Sequence, residues 1–180
     1  MPSKEGEIIV RPFQTDDAPA IVQLTIEEFA SVSIDAKIEA MLGGTPWTRI
    51  KEKVLRDELA TNPGGCFVAA AGGQVVGYVT TVLSPLASRG TIANLVVSSA
   101  CQGRGIGRKL IQQALDYFRS AGLRQAKIET LGNNEVGQHL YPALGFREVT
   151  RQIHYVMPLT CEPETPAPTR GGGCEGSPIK

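Results

Sequence analysis

Three glycines separated by single residues stand where the chain passes from an apolar run into a helix-like pattern. The stretch begins at Leu95-Val96-Val97 and continues to Gln102-Gly103-Arg104-Gly105-Ile106-Gly107-Arg108. The first N–H groups of a helix have no intrahelical partner and carry the positive end of the helix dipole. Glycines allow such a backbone to close around a phosphate group, so this turn is a candidate anion-binding cradle.

Two familiar phosphate motifs do not fit this turn. A Walker A loop needs Ser or Thr after its lysine to hold magnesium, but Gly107 is followed by Arg108-Lys109-Leu110. A dinucleotide fingerprint needs the spacing GxGxxG at the start of a βαβ unit, whereas these glycines give GxGxG after a predicted β-hairpin. A third pattern, Q/R-x-x-G-x-G/A, is matched by Gln102, Gly105 and Gly107.

The elements that would position this turn are indicated by apolar periodicity. Two β-rich runs, 66–71 and 74–83, flank Gly72-Gly73 and predict a hairpin with a tight turn. Residues 91–98 predict a strand buried on both faces. A helical stripe then begins at Gly107 and ends before Gly122; its members are Leu110, Ile111, Ala114, Leu115 and Phe118.

The remaining elements complete one α/β domain, which we place at residues 1–160. They are a strand at 7–13, helices from 15 to about 30 and from 45 to 61, a strand at 126–131, a helix at 135–144 and closing strands within 146–159. Residues 31–44 are ambiguous. The last residues, 161–180, hold four prolines and five glycines with almost nothing to bury, which predicts a disordered tail.

Composition narrows the function classes. Eighteen basic residues balance eighteen acidic ones, whereas a general nucleic-acid binder normally has a basic surplus. We expect no secretory signal and no transmembrane helix, because no apolar run approaches 18 residues. Four separated cysteines and two histidines disfavour a metal site and indicate reduced thiols in a cytoplasmic protein.

With this order of elements and the motif at Gln102, the chain resembles the GNAT N-acetyltransferase superfamily over about residues 7–159. A second, separate similarity is the late run Leu140-Tyr141-Pro142-Ala143-Leu144-Gly145-Phe146. The resemblance implies a mixed, partly splayed central sheet flanked by helices. One departure is Ser98-Ser99-Ala100-Cys101, where family members often carry a proline and an acidic residue.

The resemblance also implies acetyl-CoA as co-substrate, held mainly by backbone groups of the strand and the turn, with no metal. The cofactor-binding residues would be Leu95, Val96, Val97, Gln102, Gly103, Arg104, Gly105, Ile106, Gly107, Arg108 and Asn134. The three strand residues can equally be ordinary core residues, since side chains can pack while the backbone binds. Arg104 and Arg108 can equally be solvated cations.

Two polar residues are candidates for the proton transfers, and a third, Asn134, for a contact to the CoA arm. By resemblance, Glu129 would take a proton from the amine, through water, and Tyr141 would protonate the departing thiolate. A phenol, with an ordinary pKa near 10, remains protonated at neutral pH. Each residue has another interpretation: Glu129 as a solvated strand carboxylate, Tyr141 as a packing side chain, and Asn134 as a helix cap.

The expected reaction is direct transfer of an acetyl group to a primary amine. The spacing of Glu129, Asn134 and Tyr141 resembles that of members that acetylate protein N-termini. A small amine (a polyamine, an antibiotic or an amino acid) is an alternative acceptor, and a non-catalytic CoA-binding regulatory domain is an alternative class. We expect neither nucleic acid nor membrane as a partner, and a monomer or a homodimer.

Overall fold

The computed structural model describes residues 7–159, so the predicted tail at 161–180 lies outside the described residues. The boundaries mostly follow the sequence signals. Gly72 and Gly73 both have positive φ, as the predicted tight hairpin turn requires. In chain order the strands and helices are β1 (Ile8–Pro12), α1 (Ala18–Glu28), α2 (Ile34–Leu42), α3 (Trp47–Thr61), β2 (Phe67–Ala71), β3 (Gln74–Ser84), β4 (Arg89–Val97), α4 (Ile106–Ser120), β5 (Gln125–Ile128) and α5 (Glu135–Leu140).

Within the described residues, the five strands form one sheet in the order β1-β2-β3-β4-β5. The first four strands pair antiparallel with their neighbours, and β5 pairs parallel to β4. A parallel neighbour requires a crossover connection, and α4 provides it. The predicted mixed sheet is therefore confirmed.

The two ladders of β4 have different lengths. Its pairing with β3 extends to Val97, opposite Gly77, with an irregularity at Thr80 and Thr81. Its pairing with β5 ends at Ile92, opposite Ile128. Within residues 7–159, no strand lies beside β4 on the β5 side from Ala93 to Val97, a length of about 13 Å at the usual rise per residue. The sheet is thus splayed at the carboxyl ends of β4 and β5.

Helices cover the two faces of the sheet, each with its own core. On one face α1 and α3 bury Ile21 and Leu55 against Tyr78, all at most 1% exposed. On the other face the apolar stripe of α4 packs on β2, β3 and β4. This stripe is the one the sequence predicts, and its central residues Leu110 and Ile111 are fully buried.

Three boundaries differ from the predictions. Helix α3 begins at Trp47, and Pro46 occupies its N-cap instead of its first turn. Strand β5 ends at Ile128, because β4 has diverged and offers no partner to residues 129–131. The predicted closing strands at 146–159 are wrong: residues 147–159 form no strand and are exposed. The first apolar residues of this run, Phe146, Val149 and Ile153, are three and four positions apart, without the alternation typical of a half-buried strand, and the last strand of the sheet, β5, is only four residues long.

Candidate active site

The glycine turn between β4 and α4 has the backbone conformation of a cradle. Gly103 and Gly105 both have φ of +75°, and no atom of the described residues, apart from the chain neighbours, lies within 4 Å of where a Cβ would be. Helix α4 begins directly afterwards at Ile106, so its first N–H groups face the turn. The side-chain amide of Gln102 donates to the Val97 carbonyl oxygen at 3.2 Å. Gln102 thus ties the turn to the end of β4.

Gly107 allows α5 to pack closely against the start of α4. A Cβ at this position would lie 3.3 Å from Leu140 Cδ2, a tight contact with the last residue of α5. Its φ is not positive, unlike that of Gly103 and Gly105. The third glycine therefore lets α5 approach the first turn of α4.

The strand residues before the turn combine packing with an open backbone edge. Val96 is 4% exposed and packs toward α1 and α3, while Leu95 and Val97 pack against the core under α4. The same three residues lie in the splayed part of β4, where β5 no longer pairs. Both interpretations of Leu95, Val96 and Val97 are compatible with this geometry.

Tyr141 and Asn134 converge on Gly137 of α5. A Cβ at Gly137 would lie 3.0 Å from Tyr141 Cε2, 3.1 Å from Asn134 Nδ2 and 3.1 Å from Thr130 Oγ1. The Asn134 side chain also accepts from the Gly137 N–H at 3.1 Å, so it caps α5. The absence of a side chain at Gly137 brings the predicted acid and the predicted amide together.

The environment of the Tyr141 phenol favours its protonated form. The ring is half-buried and meets Phe146 edge-to-face, with centroids 6.3 Å apart. Loss of solvent raises the pKa of Tyr141 above its ordinary value of 10. At neutral pH this hydroxyl therefore holds a proton that it can donate.

Glu129 lies just beyond the end of β5 and not within the strand. Its carboxylate pairs with Lys127 Nζ at 2.8 Å, and its side chain is 66% exposed. The Glu129 side chain therefore lies at the surface, in contact with solvent. The adjacent residue Thr130 contacts the group formed by Tyr141 and Asn134 at Gly137.

The cations and histidines near the turn lie at the surface. Arg104 and Arg108 are exposed, and Arg108 borders an open groove between α4 and β1. The buried side chain of Ile106 leaves only its N–H for a ligand. His139 and His154 are both exposed, and His139 Nδ1 lies 2.7 Å from the Glu135 carbonyl oxygen of its own helix.

The end of α1 covers the mouth of the splayed gap. The Ser99 N–H, just after β4, donates to Glu28 Oε1 at 2.8 Å. Asn133, in the loop after β5, donates from Nδ2 to the Ser31 carbonyl oxygen at 3.0 Å. Because these bonds reach both loops, residues 28–33 form one wall of the space in front of the gap.

A polar network beside the gap was missed by sequence reasoning. Asn94 on β4, 3% exposed, donates from Nδ2 to Glu58 Oε2 at 2.5 Å and to Thr80 Oγ1 at 2.8 Å. Its Oδ1 accepts from Lys51 Nζ at 2.5 Å. The signal was an asparagine within the apolar run Ile92-Ala93-Asn94-Leu95, because a buried amide needs such partners.

Residues 7–159 have neither a metal-ligand cluster nor a membrane-spanning helix. This part of the chain contains no group of three or more His, Cys, Asp or Glu side chains able to hold a metal ion. None of its helices has both the length and the apolar character needed to span a bilayer.

Curated relatives of the chain are acetyltransferases. A mycothiol acetyltransferase of Rhodococcus jostii is 29% identical over 116 residues, which are 61% of this chain and 38% of that protein. The N-alpha-acetyltransferase MAK3 of Arabidopsis thaliana is 32% identical over 97 residues, 53% of this chain and 51% of that protein. The chain therefore spans between about a third and a half of the length of such relatives.

Solved structures and a family model agree on the fold. The PaiA N-acetyltransferase of Thermoplasma acidophilum, in complex with coenzyme A, superposes with a TM-score of 0.65 at 18% identity, covering 78% of this chain and 90% of that one. The NatC complex bound to Gag peptide and CoA gives 0.64 at 23% identity, covering 84% and 91%. The sequence model of the Acetyltransferase (GNAT) family matches residues 26–146, well over half of the chain. The chain belongs to the GNAT acetyltransferase family.

Proposed function

We propose that this chain transfers an acetyl group from acetyl-CoA directly to a primary amine, without a metal and without a covalent enzyme intermediate. The observation that carries the proposal is the continuity of the glycine turn with the splayed part of β4. The turn presents helix N–H groups suited to a pyrophosphate, and the strand beside it presents an unpaired backbone edge. Together they suit a long ligand with an anionic end and an amide-bearing arm.

In this proposal the cofactor is held chiefly by backbone groups. The N–H groups of the cradle, at Gly103, Gly105 and the first turn of α4, receive the pyrophosphate. The free edge of Leu95, Val96 and Val97 pairs with the arm as an added strand would. One N–H of this edge faces the acetyl carbonyl oxygen and stabilises the charge that develops there. Arg104, Arg108 and Asn134 supply further polar contacts.

Two side chains move the protons. Glu129 accepts a proton from the ammonium through water, which frees the amine lone pair for attack. Tyr141 donates its phenolic proton to the thiolate as the carbon–sulfur bond breaks. Burial beside Phe146 supports this assignment because it keeps the phenol protonated.

For the acceptor we favour a protein N-terminal amine. The support is the spacing of Glu129, Asn134 and Tyr141, together with relatives named N-alpha-acetyltransferase MAK3 and ribosomal protein bS18-alanine N-acetyltransferase. A small amine is the second candidate, because other relatives are named mycothiol acetyltransferase. A cytoplasmic location belongs to the same proposal, and the separated cysteines support it.

The test measures thiol release and CoA affinity separately. Wild-type protein is mixed with acetyl-CoA and a panel of N-terminal peptides and small amines, and free thiol is followed with a thiol reagent. We expect Tyr141→Phe and Glu129→Gln to lower kcat by about a hundredfold. Calorimetry should show nearly unchanged CoA binding for both variants, since neither change touches the glycine cradle.

Two control variants make the same substitutions, Tyr to Phe and Glu to Gln, at exposed positions away from the site. Tyr155→Phe removes a hydroxyl from a tyrosine that is 91% exposed. Glu148→Gln breaks an exposed ion pair, with Arg151, much as Glu129→Gln breaks one with Lys127. Both controls should retain wild-type turnover. Wild-type protein that binds acetyl-CoA but releases no thiol with any amine would instead support the regulatory CoA-binding domain.

A further inference from the structure

Lys51 on α3 points into the sheet beside the splayed gap. Its Nζ donates to Asn94 Oδ1 at 2.5 Å and lies 4.6 Å from the ring centroid of Phe29. Asn94 belongs to β4 and is nearly inaccessible to solvent. The Lys51 amine is therefore hydrogen-bonded to a side chain of β4, the strand whose backbone edge is open.

The position of Asn94 along β4 places this amine at the closed end of the gap. Pairing with β5 covers β4 as far as Ile92, so Asn94 is the second residue of the unpaired stretch. The glycine cradle follows the other end of that stretch, after Val97. An arm that runs from the cradle along β4 therefore brings its tip to the region of Asn94.

Lys51 and the cradle also lie on opposite faces of the sheet. Asn94 shares the face of Val96, which packs toward α1 and α3, whereas the cradle opens α4 on the other face. A group attacking the tip of a bound arm needs an approach that the arm itself does not occupy. Lys51 already projects into this region from α3, on the face opposite the cradle.

The surroundings of Lys51 suit a nucleophilic amine. Burial lowers its pKa below the ordinary value of 10.5, although the nearby Glu58 and Asp35 oppose this effect. A lower pKa leaves more of the amine neutral, with its lone pair available. Lys53, two residues along the same helix, is different: its side chain is 78% exposed and pairs with Asp57 at 2.6 Å.

We propose that Lys51 is itself an acetyl acceptor, so that the loaded enzyme acetylates its own α3 helix from within the gap. This inference rests on the proposed acetyltransferase function and adds a modification site to it. The substrate is the ε-amine of Lys51, and the donor is the acetyl thioester of bound acetyl-CoA.

Acetyl transfer to Lys51 forms one carbon–nitrogen bond and breaks one carbon–sulfur bond. The Lys51 ammonium first loses a proton to the neighbouring carboxylate of Glu58 or to solvent. The freed lone pair forms a carbon–nitrogen bond with the thioester carbonyl, and the carbon–sulfur bond breaks. The nitrogen gives up a second proton to solvent as the amide forms. The departing thiolate takes a proton from Tyr141, and the resulting phenolate regains one from solvent. The products are Nε-acetyl-Lys51 and free CoA thiol.

Acetylation would alter the network that now holds β4. The amide has no positive charge, so the interaction with the Phe29 ring and the attraction of Glu58 are lost. A single N–H remains where the ammonium had three donors, and the added acetyl group occupies space beside Asn94. We expect acetylated protein to differ from unmodified protein in kcat toward external amines.

The experiment follows acetylation of the full chain without any added amine. Protein and acetyl-CoA are mixed at several protein concentrations, and each lysine is monitored over time by peptide mass spectrometry. We expect Lys51 to be acetylated more than about tenfold faster than Lys53, because the donor is delivered beside it. The rate constant should not depend on protein concentration, and excess CoA should slow the reaction.

Two variants and a parallel assay complete the design. Lys51→Arg keeps the charge but should remove the product, whereas Lys53→Arg should leave acetylation of Lys51 unchanged. Equal or faster acetylation of Lys53 would overturn the inference, since exposed amines react first with donor free in solution. Turnover of the amine panel with Lys51 unmodified would overturn this inference alone. Absence of transfer both to the panel and to Lys51 would overturn the proposed function as well.

Discussion

The Tyr141 hydroxyl illustrates how one packing contact can adjust a proton donor. Phe146 lies edge-to-face against the phenol ring and helps to exclude water from it. Exclusion of water penalises the phenolate and raises the pKa of Tyr141 above 10. The protonated form, which the proposed reaction needs, is therefore favoured at every pH below this raised value.

A pH profile tests this effect. In wild-type protein, deprotonation of Tyr141 should not reduce kcat until the pH rises above 10. Phe146→Ala should admit water, return the pKa toward 10 and move the alkaline loss of kcat to lower pH. The measurement is kcat against pH at saturating acetyl-CoA. Val149→Ala is the control, because that side chain is 94% exposed, and it should leave the profile unchanged.

At the element scale, the two glycines at the ends of α4 allow backbone strain to be distinguished from ligand binding, because both have positive φ but only one lies in the cradle. Gly105 precedes the helix with φ of +75°, and Gly122 follows it with φ of +73°; neither position would crowd a Cβ. Alanine should therefore destabilise the fold by about 1 kcal/mol at either position. Only Gly105→Ala should also weaken CoA binding, by roughly tenfold, the equivalent of one hydrogen bond to a charged group.

Chemical denaturation measures the loss of stability, and calorimetry measures CoA affinity independently of it. Similar unfolding free energies for Gly105→Ala and Gly122→Ala, with CoA affinity lowered only in the first, would support the cradle. Equal CoA affinity in both variants would mean that the pyrophosphate binds elsewhere.

Packing between β4 and α4 gives a second prediction at this scale. A Cβ at Gly90 would collide with the ring of Phe118, which is 2% exposed and cannot move aside. Gly90→Ala should therefore lower the free energy of unfolding by about 1–3 kcal/mol, as overpacking does. Gly64→Ala, where no atom lies within 4 Å, should change it little. Urea denaturation measures the unfolding free energies of the two variants. Equal values would contradict the close packing of Gly90 against Phe118.

Elements whose bounds depend on local sequence signals could be predicted from the sequence. Strands whose bounds depend on pairing with another strand could not. The α4 stripe and the Gly72-Gly73 turn are local signals, and both appear as predicted. The length of β5 depends on where β4 diverges, so its end at Ile128 had no local signal. The apolar residues of 146–159 can form a strand only if an edge of sufficient length is available.

The candidate site divides in the same way. Gly103 and Gly105 have positive φ, and Tyr141 and Asn134 meet at Gly137; both arrangements depend on short-range geometry. The contact of Lys51 with Asn94 joins residues 43 positions apart, and neither has a motif. The chemical roles of these residues stay predictions, to be decided by the kinetics above.

At the scale of the whole molecule, Cys66 provides a probe of global opening. The thiol is 2% exposed, and burial raises its pKa to about 11. This raised pKa contributes stability that is present in full below about pH 9 and lost as pH rises toward 11. Iodoacetamide should therefore label Cys66 only through unfolding, with a rate that rises steeply between these values. Peptide mapping should show Cys101, half-buried in the loop before the cradle, labelled before Cys66.

The splayed sheet also bears on how the molecule opens. Only four residue pairs, together with the Ser88 carbonyl that accepts from Arg124 and Gln125, join β5 to the strands before it. A region joined by so few bonds can exchange its amide hydrogens through partial opening, without unfolding of the antiparallel strands. A ligand lodged between β4 and β5 would bond to both sides of this seam. Cofactor binding should therefore make β5 and the antiparallel strands β1–β4 open as one cooperative unit. Amide hydrogens in β4 and β5 should then exchange at similar rates.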